Sequence, residues 1–284
     1  MTHGVLVVGA TSPLGRAVAT ELTMRGHDVR RTSRSGGAGF DKLDVTDPVQ
    51  TRHVLESAQP DSVIYLARPA LEHSHDIAQS IDLAVGALRC FARQCAKRGV
   101  GRLIFASSAA VYGTTAATPR REDDAVEGDS PYAVLKLGSE QALGEVSASS
   151  TLCTLSFRIF NAYGPGFSNS LVNRLAGGEG PAPVVHNSER FVRDYIHAAD
   201  VASAFRIAID APEFDSTVLN LGTGIGTSTR SLLALCPNAD YRDHHDTDVN
   251  SVSIGDISRL RSLWLFEPVI TLELALRDPR RFLR

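Results

Sequence analysis

The chain of 284 residues lacks any apolar run close to the roughly 20 residues that a membrane-spanning helix needs. Its net charge is only −3, so no basic excess indicates a nucleic-acid or membrane-surface binder. It shows no internal repeat, and its first residues lack the basic and apolar regions of a signal peptide. We therefore expect a cytoplasmic globular protein, and a hydrophobic content of 43% suffices for a large core.

Cysteine is scarce, and no two cysteines form a C-x-x-C pair, so we expect reduced core thiols at Cys90, Cys95, Cys153 and Cys236.

One polar cluster has residue types suited to a metal but a spacing typical of no metal site, which favours a solvated loop without metal. That cluster comprises Asp243, His244, His245, Asp246 and Asp248. We also interpret His73 and His75 as surface residues, and the arginine-rich stretch 277–284 as a solvated tail.

The first 25 residues have the pattern of a strand, a glycine turn and a helix. Residues 5–8 form an uninterrupted apolar run, which is typical of a strand buried on both faces. The turn Gly9-Ala10-Thr11-Ser12-Pro13-Leu14-Gly15 follows. Backbone N–H groups and the helix dipole at such a turn favour an anion. We predict a dinucleotide pyrophosphate site, in which Ser12 replaces the middle glycine of the fingerprint and can donate its hydroxyl.

The end of the second strand, residues 28–32, lacks the carboxylate that usually holds the ribose 2′-hydroxyl of NAD. That place holds Ser33, with Arg34 beside it and Arg31 close by. An arginine can bind a phosphate through two parallel hydrogen bonds. The sequence therefore predicts NADP in preference to NAD, the alternative being that these arginines are only solvated surface residues.

Strands and helices alternate through the first half of the chain. Buried-strand patterns at residues 62–66, 103–105 and 155–159 are separated by helical patterns. This alternation predicts an α/β fold, a Rossmann-type doubly wound parallel sheet that binds ligands at the carboxyl ends of its strands.

Glycine and proline become frequent after about residue 160, and the regular alternation is lost. We place a dinucleotide-binding domain at residues 1–160 and mainly a smaller substrate-binding lobe at residues 161–284. Helical and strand patterns indicate that about residues 198–222 return to the first domain. The cleft between the two is the usual place for a small substrate.

Tyr132 and Lys136 stand four residues apart at the start of a helix that Pro131 introduces. Residues at this spacing lie on one face of a helix. A nearby cation favours the phenolate and lowers the tyrosine pKa, which makes a tyrosine a usable general acid or base. Because surface helices often carry this spacing by chance, other segments of the chain must decide its meaning.

Six segments spread over nearly the whole chain share the order and spacing of one family. They are Gly9-x-x-Ser12-x-x-Gly15, Ser107-Ser108-Ala109-Ala110-Val111-Tyr112-Gly113, Tyr132-x-x-x-Lys136, Arg158-Ile159-Phe160-Asn161-Ala162-Tyr163-Gly164-Pro165, Arg193-Asp194-Tyr195-Ile196-His197 and Asn220-Leu221-Gly222-Thr223-Gly224. With them the chain resembles the extended short-chain dehydrogenase/reductases, in particular the nucleotide-sugar epimerase/dehydratase/ketoreductase group. The resemblance implies an NAD(P)-dependent oxidoreductase that acts on a nucleotide sugar.

The resemblance also implies roles for single residues. Ser108 would hydrogen-bond the reacting sugar oxygen, and Tyr132 would transfer a proton to or from it. Lys136 would lower the pKa of Tyr132 and hold the nicotinamide ribose hydroxyls. In the substrate lobe, Asn161 would lie near the substrate diphosphate and Arg193 would contact its nucleotide.

The cofactor-binding set that the resemblance implies lies at the carboxyl ends of the strands, with Asp44 near the adenine. The set is Gly9, Thr11, Ser12, Pro13, Leu14, Gly15, Ser33, Arg34, Asp44, Val45, Leu66, Ala67, Tyr132 and Lys136. Arg68 stands where the family usually has a small residue, and it could contact cofactor, substrate phosphate or solvent. The helix from about Asp76 and the Tyr132 helix carry extra apolar residues, as the family's dimer helices do, so we expect a homodimer.

Departures from the family pattern exclude some of the reactions that family members catalyse. Dehydratases carry an acidic pair after the catalytic serine, where this chain has Ala109 and Ala110. The epimerase–reductases of the GDP-fucose pathway use a cysteine and a histidine where Ala110 and Leu171 stand. Two enzymatic interpretations remain. One is NADPH-dependent reduction of a keto group, at C4 of a nucleotide-linked deoxysugar, and the other is an NAD-dependent 4-epimerase. The predicted preference for NADP favours the reductase.

Two further alternatives stay open. One is a reductase for a non-sugar ketone or aldehyde, since related proteins share the same triad. The other is a sensor that binds NADP without chemistry. The sensor is less favoured, because such proteins typically lose the tyrosine or lysine that this chain keeps.

Overall fold

A parallel sheet with helices on both faces organises the computed structural model, which describes residues 2–68, 76–113, 118–177, 182–186, 189–212, 214–244 and 250–283. The strands are β1 (Gly4–Val8), β2 (Asp28–Ser33), β3 (Asp41–Lys42), β4 (Ser62–Tyr65), β5 (Arg102–Ser108), β6 (Cys153–Ile159), β7 (Asn161–Tyr163), β8 (Val184–Val185), β9 (Phe191–His197), β10 (Thr217–Leu221), β11 (Gly226–Ser228), β12 (Arg242–Asp243) and β13 (Ser251–Ser253). The helices are α1 (Pro13–Met24), α2 (Pro48–Ala58), α3 (Ile77–Lys97), α4 (Pro131–Ala148), α5 (Leu171–Leu175), α6 (Ala198–Asp210), α7 (Thr229–Ala234), α8 (Ser258–Trp264), α9 (Leu272–Arg277) and α10 (Pro279–Phe282).

The main sheet is parallel throughout, in the order β10-β6-β5-β4-β1-β2-β3. Strand order reverses at β1, because β2 lies on one side of it and β4 on the other. In such a sheet a ligand crevice opens at the carboxyl ends of the two strands where the order reverses. The predicted Rossmann-type doubly wound sheet is confirmed.

Both faces of the main sheet are buried, which explains the uninterrupted apolar run of β1. Val5 and Val7 point into the core shared with α1 and α6, whereas Leu6 and Val8 point into the core shared with α2 and α3. All four side chains are essentially inaccessible to water. A strand that alternated apolar and polar residues would place polar groups in one of these cores.

Three of the long helices begin where sequence signals predict. Ser12, Asp47 and Ser130 cap α1, α2 and α4, and in each case the side chain accepts a backbone hydrogen bond from the first turn. Each cap is followed by proline, whose missing N–H costs nothing at that position. The Ser130 cap sets the start of α4 and therefore the direction in which Tyr132 and Lys136 project.

Residues after 160 build a second, smaller sheet in the order β11-β9-β13, with β7 beside β9. The chain does not stay there, because β10 pairs in parallel with β6 of the main sheet. The preceding helix α6 packs on α1, and its Phe205 lies 5.1 Å from the ring of Phe157 on β6. The segment from α6 to β10 therefore lies in the main sheet's own layers.

A buried carboxylate joins the small sheet to the loop after β10. Asp194 on β9 accepts hydrogen bonds from the backbone of Thr223 (2.9 Å) and Gly224 (3.0 Å) and from the Thr223 hydroxyl (2.6 Å). Gly222 has no room for a side chain, because a Cβ there would clash with the Asp194 carboxylate. Two of the six sequence segments thus form one structural unit.

Two expectations drawn from the sequence need correction. The C-terminal arginine-rich stretch is not a solvated tail, because Leu283 is buried and the Phe282 carbonyl accepts a hydrogen bond from His197 Nε2 at 2.8 Å. Arg284 lies outside the described residues. All four cysteines are free, but Cys90 is exposed on α3 rather than in the core.

Within the described ranges, no helix is long and apolar enough to cross a membrane.

Candidate functional site

The turn between β1 and α1 brings the backbone close to the neighbouring strand. Gly9 has φ +84°, and a Cβ there would lie 2.9 Å from the Ala67 nitrogen. Ser12 Oγ accepts a hydrogen bond from Gly15 N at 3.0 Å and donates one to Gly9 O at 2.9 Å. The Ser12 hydroxyl is therefore engaged within the turn rather than aimed at a pyrophosphate. The feature of this turn that would bind an anion is the amino-terminal end of α1.

A cavity of about 450 Å³ runs along the carboxyl edge of the main sheet from the glycine turn to α4. Its volume is in the range of small-molecule and cofactor sites. The predicted cofactor residues that line it are Gly9, Thr11, Ser12, Ser33, Arg34, Asp44, Val45, Leu66, Ala67 and Lys136. Three others lie in the first turn of α1 and do not line the cavity: Pro13, Leu14 and Gly15. Tyr132 also stands outside this lining, 36% exposed.

A second cavity, of about 570 Å³, adjoins the first at Ser33 and Arg34. It is also lined by Lys42, which the sequence analysis missed. Lys42 pairs with Ser33 because β3 adds a short edge strand beside β2. Two residues are too few for an apolar pattern to mark, so no sequence signal distinguished Lys42. Two cations thus border the place where a ribose 2′-substituent is expected.

Asp44 separates the two cavities and lines both of them. Its carboxylate accepts hydrogen bonds from the Thr46 hydroxyl (2.7 Å) and the Thr46 backbone (3.0 Å). These bonds hold the pKa of Asp44 below its ordinary value, with a smaller effect from the charge of Arg34. Asp44 is therefore a fixed anion on the wall of the cofactor cavity.

The structure brings the three predicted catalytic residues together. Ser108 ends β5, and Tyr132 and Lys136 project from the first turns of α4. Ser108 lies near enough to the Tyr132 hydroxyl to lower its pKa, and the Ser108 oxygen accepts a bond from Ala110 N at 3.2 Å. Burial raises the pKa of Tyr132, and this effect is opposed by the Ser108 hydroxyl and by the charge of Arg68.

Lys136 is buried beneath Tyr132. Its ammonium donates to Ala106 O at 2.6 Å and lies 5.5 Å from the centre of the Tyr132 ring. Burial lowers the pKa of Lys136 to about 7, the charge of Arg68 also lowers it, and the carboxylate of Glu140 raises it. Lys136 therefore changes its charge near neutral pH, next to the phenol it is expected to assist.

A buried ion pair lies one helical turn below Lys136. Arg158 on β6 donates to Glu140 on α4 at 2.7 Å, and Ser107 donates to the same carboxylate. Arg158 also donates to the Tyr112 hydroxyl at 2.9 Å, which in turn donates to Asn220 at 2.8 Å. The sequence analysis missed Glu140, although its place four residues after Lys136 puts it on the same helix face.

A third cavity, of about 520 Å³, holds both predicted substrate residues, Asn161 and Arg193. The pairing of Ser108 with Ile159 places the end of β6 beside Ser108, and Asn161 follows Ile159 by two residues. The Arg193 guanidinium lies 3.9 Å from the centre of the Phe191 ring and donates to Ser251 O at 2.8 Å. Burial lowers the pKa of Arg193. The cavity thus offers an oriented cation near the catalytic edge.

The polar cluster of residues 243–248 lies only partly within the described residues. Asp243 lies at the end of β12, whereas His245, Asp246 and Asp248 lie outside the described residues, as do His73 and His75. The His244 ring lies 4.8 Å from the ring of His186. Across the described segments, no group of three or more His, Cys, Asp or Glu side chains could hold a metal ion.

Comparison with known proteins gives consistent matches. Residues 5–222 match the model of the NAD dependent epimerase/dehydratase family. A UDP-glucose 4-epimerase of Corynebacterium glutamicum is 28% identical, over 82% of this chain and 79% of that protein. A dTDP-4-dehydro-6-deoxyglucose reductase of Escherichia coli is 26% identical, over 95% and 94% of the two chains.

Solved structures match over nearly the whole length. MoeE5 in complex with UDP-glucose and NAD aligns with a TM-score of 0.83 at 25% identity, covering 98% of both chains. The UDP-glucose 4-epimerase of Thermotoga maritima with UDP-glucose aligns with a TM-score of 0.81 at 22% identity, also over 98% of both chains. The second likeness supports the fold alone.

The burial of Lys136 predicts a specific pH dependence of stability. The unfolded chain takes up this proton as the pH falls through 10.5, and the folded chain only near 7. Between these values the unfolded state binds more protons, so Lys136 lowers the free energy of unfolding as the pH falls. Lys136→Met should therefore gain stability relative to the parent from pH 10 down to pH 7, by on the order of a few kcal/mol.

Urea denaturation at several pH values between these limits measures the difference. Lys97→Met, at the exposed end of α3, controls for the change of residue type. A difference between Lys136→Met and the parent that stays constant over this range would contradict the prediction.

Proposed function

Because the chain belongs to the NAD dependent epimerase/dehydratase family, as its six segments suggested, we propose that it reduces a keto group of a nucleotide-linked deoxysugar with NADPH, at C4. Membership makes it an enzyme of the oxidoreductase kind, and its relatives include both 4-epimerases and a reductase. One observation carries the choice between them. At the end of β2, Ser33 takes the place of the NAD-binding carboxylate, and Arg34 and Lys42 border the adjoining cavity.

The residues present fit a dinucleotide. Gly9 has the positive φ and the close approach to β4 that leave no room for a side chain, and the cavity continues from that turn to Lys136. NADPH bound there would supply the hydride that adds to the carbonyl carbon. Arg34 and Lys42 would hold its 2′-phosphate, because these two cations outweigh the single carboxylate of Asp44 in the same lining and the Ser33 hydroxyl carries no charge.

The catalytic residues of this chain would handle the oxygen of the keto group. Ser108 donates a hydrogen bond that orients it. The O–H bond of Tyr132 breaks, its proton passes to that oxygen, and the ketone becomes an alcohol. Lys136 stabilises the phenolate that remains and binds the ribose hydroxyls of the nicotinamide nucleotide. Solvent then returns the proton to Tyr132.

The third cavity would take the nucleotide of the substrate. Arg193, held over Phe191 and against Ser251, would contact the nucleotide, and Asn161 would lie near the diphosphate, at the side nearer Ser108. The flat rings of His186 and Phe191, which stack at 5.3 Å, give the cavity an aromatic wall for a base. The complex of MoeE5 with UDP-glucose supports a nucleotide sugar as the substrate class.

An NAD-dependent nucleotide-sugar 4-epimerase is the second candidate. The names of several relatives and the NAD in the MoeE5 complexes favour it. The same triad would serve, since removal and return of a hydride at C4 needs the same proton transfers. A sensor that binds NADP without chemistry is disfavoured by the assembled Ser108, Tyr132 and Lys136.

The reaction is tested with purified protein and nucleotide-linked 4-keto-6-deoxysugars. We expect NADPH oxidation that depends on the sugar. Tyr132→Phe should lower the rate by roughly 100-fold or more, because the proton donor is lost, while NADPH binding persists. The absence of NADPH oxidation with every such sugar, together with interconversion of C4 epimers, would replace the reductase by the epimerase.

The cofactor preference is tested by titrating the protein with NADPH and NADH. We expect tighter binding of NADPH, and Arg34→Ala should weaken it roughly tenfold or more while leaving NADH binding unchanged. Arg31→Ala is the matched control, because Arg31 stacks on Phe40 and does not line the two cofactor cavities. Tightly retained NAD in the purified protein would be the opposite result.

A homodimer through α3 and α4 is the assembly we propose. The two helices lie side by side, and on α4 Val134 leaves 43% of its surface exposed. A second copy could cover this face across a two-fold axis. Light scattering on the purified chain should give twice the 30.5 kDa of one chain, and a mass of one chain at micromolar concentration would exclude the dimer.

A further inference from the structure

Arg68 adds a cation to the catalytic end of the cofactor cavity. Tyr65 on β4 pairs with Phe105 on β5, and Arg68 and Ser108 each lie three residues beyond that pair. Both therefore stand at the carboxyl edge of neighbouring parallel strands. Arg68 is exposed there and lines the same cavity as Lys136.

The backbone before Arg68 is fixed. Leu66 N donates to Val8 O at 2.9 Å, and the Ala67 nitrogen is where a Gly9 side chain would clash. The two residues before Arg68 are therefore packed against the glycine turn. This packing fixes the backbone position from which the Arg68 side chain extends at the edge of the site.

The charges around Tyr132 show which cation acts on the phenol. Lys136 lies beneath the ring, but its ammonium is bonded to Ala106 O. Arg68 lowers the pKa of Tyr132, and it also lowers the pKa of Lys136. The Glu140 carboxylate raises the pKa of Lys136, and the Ser108 hydroxyl lowers the pKa of Tyr132. These are the groups that act on the pair from β4, β5 and α4.

We propose that Arg68 is a positioning residue of the active site, a second cation that works beside Lys136 and stabilises the Tyr132 phenolate formed when Tyr132 gives its proton to the substrate oxygen. Arg68 takes no proton itself, because a guanidinium stays charged throughout the working pH range. Its contribution is the fixed charge. Lys136, in contrast, loses its charge near neutral pH, so Arg68 keeps a cation beside the phenol when Lys136 does not.

The first test needs no substrate. NMR of the full chain, carbon-labelled at the tyrosine Cζ, follows the ionisation of Tyr132, whose signal is identified by its loss in Tyr132→Phe. Arg68→Met should raise the midpoint by roughly half a pH unit or more, because the attraction that favours the phenolate is gone. Arg68→Lys keeps the charge and should stay near the parent, and Arg31→Met is the control for loss of a distant cation.

Salt gives an independent readout, since the charge of an exposed guanidinium is screened by ions. Raising the ionic strength should move the parent midpoint towards that of Arg68→Met and leave the Arg68→Met midpoint nearly unchanged. A midpoint that is the same in the parent and in Arg68→Met would overturn the proposal. So would an Arg68→Lys variant that titrates like Arg68→Met.

The second test uses catalysis and rests on the proposed reduction. Tyr132 must be protonated to give its proton to the substrate, so kcat/KM falls as the pH rises through the pKa of Tyr132. Arg68→Met should move this fall to higher pH and reduce kcat more than it changes KM, and Arg68→Lys should restore both. If no keto sugar is reduced, the proposed function fails but the tyrosine titration still decides the role of Arg68.

Discussion

The ion pair between Arg158 and Glu140 holds α4, the helix that carries Tyr132 and Lys136, to the sheet. Its two side chains are 8% and 7% exposed, and burying such charges costs several kcal/mol unless further hydrogen bonds satisfy them. Ser107 supplies one of those bonds to the carboxylate, and the Tyr112 hydroxyl and the Glu122 carbonyl supply others to the guanidinium. The pair therefore fixes the position of α4 along its axis relative to β5 and β6. Because Tyr132 and Lys136 project from the same helix, their distance from Ser108 depends on it.

The same anchoring explains why Lys136 stays in a position where its charge is unfavourable. The helix cannot turn to expose the ammonium, since Glu140, one turn further on, is tied to β6. Lys136 is left with one carbonyl partner, two aromatic rings and a distant carboxylate. Such an arrangement destabilises the folded chain, and it holds the Lys136 ammonium, when protonated, where water does not compete for it.

Most of the fold, and the residues predicted to be catalytic, could be predicted from patterns a few residues long. The apolar run of β1, the proline after each helix cap and the four-residue spacing of Tyr132 and Lys136 are all read within a few residues of sequence. The family match and the parallel sheet confirm the family and the fold that these patterns predicted, whereas the catalytic roles of Tyr132 and Lys136 stay predictions. Contacts between segments distant in sequence were not predictable in the same way. The position of Lys42 on a two-residue edge strand and the enclosure of Asp194 by residues 222–224 depend on the folded chain. The Ser12 bonds are local, but the sequence does not show whether its hydroxyl turns to the backbone or to a ligand.

The return of β10 to the main sheet governs how this chain can be divided. Until β10 is in place, β6 is an edge strand whose unpaired backbone groups can recruit another chain. A fragment that stops after residue 160 would carry that open edge and would lack the α6 side of its core. The pairing also joins segments far apart in sequence, which slows folding. A chimaera that exchanges the small sheet must therefore leave α6 and β10 with the main sheet, and join the new pieces on either side of them.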